Sequence, residues 1–243
     1  MTMARVVILG AGIAGHTAAL HLRRQVGKEH DVVVVSPNSK WNWIPSNIWV
    51  GVGQMSEKQV TFPLAPIYKR KGIEFHQALA YELHPEGDST SAKPFVTVKY
   101  TSPDKLDQVA NLEYDFLINA TGPKLNFGAT PGLGPDGNSW SVCTAGHAKE
   151  TAVEFNKILD KLKAGQKQTL LIGMGHGTCT CQGAAFEYTF NVEHEIRSAG
   201  VRDNAEIIYI TNEEHLGDFG MDGINFGIKD QVVPSEHFTQ SLF

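Results

Sequence analysis

The sequence predicts an α/β protein with two Rossmann-like dinucleotide-binding domains, each built on a parallel sheet. Two observations predict this class. A strand, a glycine turn, a helix and a second strand follow one another over residues 4–35, and the same order returns over residues 169–210. Strands that alternate with helices in this way are typical of parallel βαβ units. We place the boundary after residue 125, with residues 1–125 as the first domain and residues 126–243 as the second.

The first glycine turn has the spacing G-x-G-x-x-G, with glycines at Gly10, Gly12 and Gly15. The apolar residues 6–9 precede it as a buried strand would, and the alanine-rich residues 17–26 follow it as a helix would. Gly10 permits a tight turn, Gly12 lets a pyrophosphate approach the backbone, and Gly15 lets helix and strand pack closely. The turn therefore predicts dinucleotide binding; the alternative is a glycine turn of some other α/β protein.

The second strand of this unit ends at Ser36. Many dinucleotide sites have Asp or Glu at this position, where the carboxylate holds the ribose hydroxyls. A serine hydroxyl can make one such bond, but a weaker one, so this position slightly disfavours NAD.

A return strand is predicted to bring a third segment back beside the first glycine turn. A helix is predicted over residues 62–71, and strands over residues 73–75, 78–83, 95–100 and 113–119. The last strand runs into Ala120-Thr121-Gly122-Pro123. Small residues and a hydroxyl at this place are a recurrent mark of flavoproteins with two dinucleotide-binding domains.

Three tryptophans, Trp41, Trp43 and Trp49, fall within a stretch of low charge that ends at Gly53. One interpretation is a loop packed on the core. The other is a loop that covers a flat aromatic cofactor, because large rings supply contact area and stacking. The residues alone do not favour either.

The second half of the chain repeats the strand–glycine–helix order. Helices are predicted over residues 145–162 and 182–198, and strands over residues 169–172 and 206–210. The intervening glycine turn reads G-M-G-H-G-T-C-T-C from Gly173. This turn departs from the G-x-G-x-x-G spacing, so we expect it not to bind NADH.

Two cysteines, Cys179 and Cys181, end the second glycine turn at the predicted start of a helix. A thiol at a helix N-terminus gains thiolate character, which is the environment of a nucleophile. The alternative is a buried, inert cysteine. A metal site made by these two thiols, His176 and Cys143 is disfavoured, because the glycine turn is better explained by a nucleotide fold.

The composition limits the classes of function. The chain has 243 residues, 42% hydrophobic residues and a net charge of -5, which argues against nucleic-acid binding. The sequence contains no run of 18 apolar residues, so no membrane span is predicted. The apolar run at the start is short and interrupted by glycine, so we do not predict a secretory signal there. Three cysteines are too few for a secreted disulfide scaffold.

Five stretches together resemble sulfide:quinone oxidoreductase, a flavoprotein family with two dinucleotide-binding domains. The likeness covers nearly the whole chain, and P-S-N-x-W-V-G-V-G and A-T-G-P-K are its most specific motifs. The stretches are residues 6–15, 44–53, 120–124, 143–148 and 181–188.

The resemblance implies FAD as the cofactor, held along the first glycine turn, with its ribose near Ser36 and its flavin approached by Ile44 and Pro45. The residues that match the family's FAD contacts are Gly10, Gly12, Ala14, Gly15, Ser36, Ile44, Pro45, Ala80, Thr121 and Gly122.

The resemblance also implies a catalytic set. Cys143 and Cys181 match two of the three cysteines near the family's sulfide site, Glu187 matches a proposed acid/base, and His147 matches a motif histidine. In the family mechanism sulfide attacks an active-site disulfide, electrons pass through FAD to quinone, and sulfur leaves as polysulfide or sulfur. Cys179 is additional here, so the disulfide partner of Cys181 stays open.

Family members run to nearly twice this length, so the resemblance implies an amino-terminal portion that lacks the third cysteine, further FAD contacts, the quinone pocket and the membrane-anchoring helices. We therefore expect a peripheral membrane protein with no signal peptide, cytoplasmic if the fragment is soluble. A homo-oligomer is left open. The alternatives are the flavin subunit of a flavocytochrome c sulfide dehydrogenase, a type II NADH:quinone or disulfide reductase, and an inactive FAD-binding fragment.

Overall fold

The structure is a computed structural model and describes residues 3–174, 182–211, 214–217 and 225–242. The chain forms two compact units. Unit 1 takes the chain up to Trp43 together with Thr61–Lys124, and unit 2 takes Ile44–Val60 together with the chain from Leu125 onward. Residues 44–60, which the sequence analysis placed in the first domain, thus lie with unit 2.

The described residues include twelve strands and seven α-helices. The strands are β1 (Arg5–Leu9), β2 (Asp31–Ser36), β3 (Lys40–Asn42), β4 (Thr61–Pro63), β5 (Glu74–His84), β6 (Phe95–Tyr100), β7 (Val109–Glu113), β8 (Phe116–Asn119), β9 (Gln168–Gly173), β10 (Ala205–Ile210), β11 (Asn225–Ile228) and β12 (Gln231–Pro234). The helices are α1 (Ile13–Val26), α2 (Asn47–Gly51), α3 (Glu57–Val60), α4 (Leu64–Lys71), α5 (Ala145–Lys163), α6 (Gln182–Ser198) and α7 (Ser235–Gln240). Short 3-10 turns cover Ile44–Ser46, Phe127–Ala129 and Arg202–Asn204.

Unit 1 is built on a six-stranded sheet with the order β7-β6-β5-β2-β1-β8. Strand β1 lies between β2 and β8 and pairs with both in parallel, and β2 pairs in parallel with β5. Beyond these strands the sheet turns antiparallel, from β5 to β6 to β7. The predicted α/β class with a parallel, Rossmann-type βαβ unit is confirmed.

Both faces of this sheet are covered, which explains the continuous apolar runs of its central strands. Val7 and Val33 contribute to the core on one face, and Ile8 and Val34 to the core on the other. All four are completely buried. Ala19 of α1 packs into the second core, so the small residues of the helix let it lie close to β1.

Three element predictions in unit 1 need correction. The helix predicted from residue 62 begins at Leu64, because Thr61–Pro63 pair with Lys40–Asn42 as β4 and β3. The strands predicted over 73–75 and 78–83 are one strand, β5, which is irregular between Ala80 and Glu82. The strand predicted over 113–119 is two strands, because β7 ends at Glu113 and β8 begins at Phe116.

Unit 2 contains a second βαβ unit, in which β9 and β10 pair in parallel and α6 lies between them in the chain. Helix α6 has the predicted bounds, and α5 ends one residue later than predicted. An antiparallel hairpin of β11 and β12 follows.

None of the helices in the described ranges combines the length and the hydropathy that a bilayer crossing requires. The larger hydrophobic core of unit 2 is formed by Val52, Phe155, Leu162, Leu170, Val192, Ile196 and Ala205.

Candidate functional site

The first glycine turn of unit 1 joins β1 to α1 and is held against the neighbouring strand ends. The backbone N–H of Gly10 donates to the carbonyl of Val35 at 2.8 Å, and the N–H of Ala120 donates to the carbonyl of Leu9 at 2.7 Å. Gly10 has a φ of 98°, and a Cβ there would overlap the Ala120 carbonyl. Only glycine fits this position without backbone movement.

Gly15 and Gly12 differ in what surrounds them. A Cβ on Gly15 would overlap the Gly10 carbonyl and contact the Ala120 side chain, so Gly15 is needed for helix packing. A Cβ on Gly12 would meet no atom of the described residues within 4 Å. Gly12 is the N-cap of α1 and supplies no side-chain cap, and the following Ala14 is exposed. The start of α1 therefore combines uncapped amides with an open position at Gly12, which are features of an anion-binding helix terminus.

Ser36 and Thr121 follow at the same edge of the sheet, because the carboxyl ends of parallel strands meet there. Ser36 is 3% exposed, and its hydroxyl accepts a hydrogen bond from the Asn38 N–H at 3.3 Å. The Thr121 hydroxyl donates to the Asn119 side chain at 2.8 Å, and a Cβ on Gly122 would meet no atom within 4 Å in the described ranges. Ala80 lies further along β5, where that strand already pairs with β6.

An aromatic cluster beside the first turn of α1 was not predicted. His16 Nδ1 lies 3.0 Å from the Tyr68 hydroxyl, and its ring centroid lies 5.9 Å from that of Trp41 and 5.6 Å from that of Phe62. Burial lowers the pKa of His16 and raises the pKa of Tyr68. The sequence signal was a histidine next to the glycine motif, but its partners lie 25 or more positions away.

The tryptophan-rich stretch is divided between the two units. In unit 1 the Trp41 ring stacks on Phe62 at 4.8 Å and on Trp43 at 5.8 Å, which favours packing on the core for this part. In unit 2 Ile44 and Pro45 are exposed in a 3-10 turn that leads into α2. Trp49 of α2 is 43% exposed.

Helix α2 packs closely against two other parts of unit 2 at Gly51. A Cβ on Gly51 would lie 2.7 Å from Val142 Cγ1 and 2.9 Å from Tyr188 Cε2. The Tyr188 hydroxyl donates to the Gly51 carbonyl at 3.3 Å. Val142 and Tyr188 are the chain neighbours of Cys143 and Glu187, so this contact ties together the segments that bear two predicted catalytic residues.

Cys143 lies two residues before the start of α5, and its thiol is exposed and has no disulfide partner among the described residues. Thr144 caps the helix, because its hydroxyl accepts a hydrogen bond from the His147 N–H at 3.1 Å. The His147 ring lies 5.9 Å from that of Phe127. Its Nδ1 is buried and, within the part of the chain that the structure describes, has no hydrogen-bond partner. Such an unpaired nitrogen can donate or accept one hydrogen bond, according to the tautomer, to a group that the described residues do not supply.

Glu187 is exposed on α6. Cys181, Cys179 and His176 lie outside the described residues, so their predicted roles stay predictions. Gln182, the first residue of α6, is 4% exposed, and neither polar atom of its side chain has a hydrogen-bond partner in the described ranges. Those ranges also hold no group of three or more metal-binding side chains.

A family model described as pyridine nucleotide-disulphide oxidoreductase matches residues 4–202. The chain belongs to this family. The match includes both glycine turns and all of the predicted catalytic residues.

Individual relatives agree with the resemblance predicted from the motifs. The sulfide-quinone reductase of Aquifex aeolicus is 32% identical over 219 residues, which are 90% of this chain and 45% of the relative. The solved structure of the Aquifex aeolicus sulfide:quinone oxidoreductase is similar with a TM-score of 0.75 and 29% identity, over 99% of this chain and 48% of that one. The mitochondrial sulfide:quinone oxidoreductase of Mus musculus is 26% identical over 85% of this chain and 41% of its own length.

The chain therefore spans about half the length of the oxidoreductases that it matches. A second group of relatives shares a shorter stretch. An external alternative NAD(P)H-ubiquinone oxidoreductase of Arabidopsis thaliana is 29% identical over 53% of this chain and 21% of its own length.

Proposed function

We propose that this chain is the FAD-binding and thiol-bearing part of a sulfide:quinone oxidoreductase, which oxidises sulfide to polysulfide or sulfur and passes the electrons through FAD to a quinone. The observation that supports this most is the open turn at Gly12, at the edge where three strands end. This turn belongs to a chain that is 32% identical to a sulfide-quinone reductase over 90% of the chain's own length.

The geometry of the first glycine turn in unit 1 supports the proposal that this unit binds FAD. The uncapped amides of α1 and the empty space at Gly12 would hold the pyrophosphate. Ser36 lies at the end of β2, where a ribose hydroxyl is bound, although its hydroxyl already accepts from Asn38. Thr121 and Gly122 would face the cofactor from the third strand end. Bound FAD would supply the two-electron acceptor that sulfide oxidation requires.

Unit 2 would supply the sulfur chemistry. The exposed Cys143 thiol is accessible to sulfide, and His147 lies one helical turn further along the chain with an unpaired Nδ1. We assign proton transfer to His147 and to Glu187, whose carboxylate is exposed on α6. We assign nucleophilic roles to Cys143 and Cys181, and leave open whether Cys143 or another thiol pairs with Cys181.

We assign quinone binding and peripheral membrane contact to polypeptide that the sulfide:quinone oxidoreductase relatives have and this chain does not span. About half of the length of those relatives lies outside the aligned region.

The first experiment tests FAD binding by the purified chain. Because a Cβ at Gly12 would meet no atom of the described part of the chain within 4 Å, Gly12→Glu should leave the fold intact and place a carboxylate where we propose that the pyrophosphate binds. We expect the affinity for FAD to fall by at least about 100-fold, measured by quenching of flavin fluorescence. Thr17→Glu is the matched control, because it adds the same charge to an exposed position of α1 five residues further along the chain. Equal FAD affinity in both variants would contradict the assignment.

A second candidate function is a NADH:quinone reductase, favoured by the similarity to the NAD(P)H-ubiquinone oxidoreductases and by the exposed Glu214 after β10. The flavin-loaded full-length protein is mixed without oxygen with sulfide or with NADH. We expect sulfide alone to bleach the flavin absorbance. We also expect Cys181→Ala to abolish bleaching and Cys179→Ala to retain it. Bleaching by NADH and none by sulfide would overturn the proposal.

A further inference from the structure

One ring nitrogen of His147 is enclosed, although no polar group in the described part of the chain reaches it. Nδ1 is both buried and without a hydrogen-bond partner there, and the same does not hold for Nε2. A neutral imidazole carries a proton on one nitrogen and a lone pair on the other. The surroundings of Nδ1 therefore decide which nitrogen keeps the lone pair and can accept a proton.

The aromatic ring beside His147 belongs to Phe127. The two ring centroids lie 5.9 Å apart and the ring planes are inclined by 57°, so the rings are tilted and not stacked. The face of a phenyl ring is partly negative and its edge is partly positive. An N–H directed at the face of Phe127 would be attracted, whereas a nitrogen lone pair directed there would be repelled.

Phe127 is held in place by the glycine-rich loop that follows it. Gly134 is buried in this loop with a φ of 100°, and a Cβ there would lie 2.6 Å from both Cβ and Cγ of Phe127. The Gly134 N–H donates to the Ser139 hydroxyl at 2.8 Å, and the Gly134 carbonyl accepts from the Gly137 N–H at 2.9 Å. The backbone of Gly134 therefore lies directly against Phe127 and limits the movement of its side chain.

The backbone of His147 is fixed by two threonines. The Thr144 hydroxyl accepts from the His147 N–H at 3.1 Å, and the Thr151 hydroxyl lies 2.9 Å from the His147 carbonyl. The Thr151 hydroxyl also lies 2.7 Å from the carbonyl of Ser141, which joins the loop to α5. The loop and the helix thus hold Phe127 and His147 in a defined relation.

We propose that Phe127 is a positioning residue that selects the tautomer of His147, with the proton on Nδ1 and the lone pair on Nε2. The Nδ1–H points at the face of the Phe127 ring, which offsets part of the cost of burying this group without an oxygen or nitrogen partner.

The chemical consequence rests on the function proposed above. With its lone pair on Nε2, the neutral His147 would take one proton from hydrogen sulfide. This transfer would leave hydrosulfide as the nucleophile and a protonated imidazole. The tautomer itself follows from the two rings and does not depend on the redox function.

The test is NMR spectroscopy of the purified 243-residue chain, labelled with ¹⁵N in its histidine rings. Long-range correlations between ring protons and nitrogens identify Nδ1 and Nε2 separately and show which of them carries the proton. Spectra are recorded at alkaline pH, where imidazoles are neutral. His147→Gln assigns the signals of His147 among those of the ten histidines. We expect the tautomer with the proton on Nδ1 to predominate in the parent chain.

Three variants separate the effect of the ring face from that of an apolar side chain. Phe127→Leu keeps an apolar cover, and the ratio of the Nδ1–H to the Nε2–H tautomer should fall by about 3-fold through the loss of one N–H···π contact. Phe127→Tyr keeps the ring face and should retain the parent ratio. Phe116→Leu is the matched control, because Phe116 is 62% exposed in unit 1 and should leave the His147 signals unchanged. A purely structural role of Phe127 would alter the urea midpoint without this pattern of ratios.

Three results would overturn the proposal. The first is a parent chain with the proton mainly on Nε2 of His147, and the second is an unchanged ratio in Phe127→Leu. The third is an equal fall of the ratio in Phe127→Leu and Phe127→Tyr. A parent chain with the proton on Nδ1, together with a full-length protein whose flavin sulfide does not bleach, would contradict the proposed function and support the tautomer assignment.

Discussion

Gly51→Ala should destabilise unit 2, although alanine is normally the better helix former. Gly51 closes α2, and a methyl group there would lie 2.7 Å from Val142 Cγ1 and 2.9 Å from Tyr188 Cε2. Ordinary contacts between such atoms are 3.4–4 Å. Both neighbours must therefore move by at least half an ångström, and the hydrogen bond from the Tyr188 hydroxyl to the Gly51 carbonyl is strained or lost.

The expected magnitude is a balance of three effects. Overpacking of a core costs about 1–3 kcal/mol. Loss of the hydrogen bond from the Tyr188 hydroxyl adds about 1 kcal/mol. Better helix propensity offsets about 1 kcal/mol. The free energy of unfolding should therefore fall by about 1–3 kcal/mol.

Urea unfolding, followed by tryptophan fluorescence, measures this change as a shift of the midpoint. Gly183→Ala is the control, because that helical glycine has no atom of the described residues within 4 Å of its Cβ position and should be neutral or slightly stabilising. Removing the nearest obstacle should rescue the variant: combined with Val142→Ala, the cost of Gly51→Ala should shrink by about 1–2 kcal/mol. A neutral Gly51→Ala, or an equal cost with and without Val142→Ala, would refute the packing argument.

Three further predictions concern titration and thiol access. Burial lowers the pKa of His16 below its ordinary 6.5, so the unfolded chain takes up a proton that the folded chain does not. The free energy of unfolding should fall as the pH drops below 6.5. In the His16→Phe variant the urea midpoint should depend less on pH in this range. Hydrogen bonds from His76 and Arg5 lower the pKa of Glu74 to about 2, so its contribution should be lost as the pH falls from 4.5 toward 2, and Glu74→Gln should remove that loss. The exposed Cys143 thiol should react with iodoacetamide in the native chain after disulfides have been reduced, with the label found on its peptide by mass spectrometry. Protection of the reduced thiol until urea is added would contradict its exposed position.

Local signals in the sequence were enough to predict the βαβ units. The apolar runs of β1 and β2, the glycine spacing and the alanine-rich α1 are all read within a few residues of one another. The same holds for α5, α6, β9 and β10, whose periodic patterns placed their bounds to within a residue or two. Ala120 and Thr121 were also correctly expected to return beside the first glycine turn.

The sequence did not predict features that depend on pairing between distant segments. Strand β7 was not predicted, and the interruption between Glu113 and Phe116 was predicted as continuous strand. Both β7 and β8 carry apolar residues, and only their pairing, of β7 with β6 and of β8 with β1, distinguishes them. Residues 44–60 were assigned by their position in the chain, but their apolar side chains pack in unit 2.

The candidate site divides in the same way. The residue types at Gly10, Gly12 and Gly15 predicted a cofactor turn, because each glycine has a role that its spacing alone defines. Only the tertiary structure showed that Gly12 faces open space while Gly10 and Gly15 are closed in by backbone, and that Gly51 joins the segments of Cys143 and Glu187. The reason is physical: a spacing along the chain specifies local conformation, whereas the space around a Cα depends on segments that approach it from elsewhere in the fold.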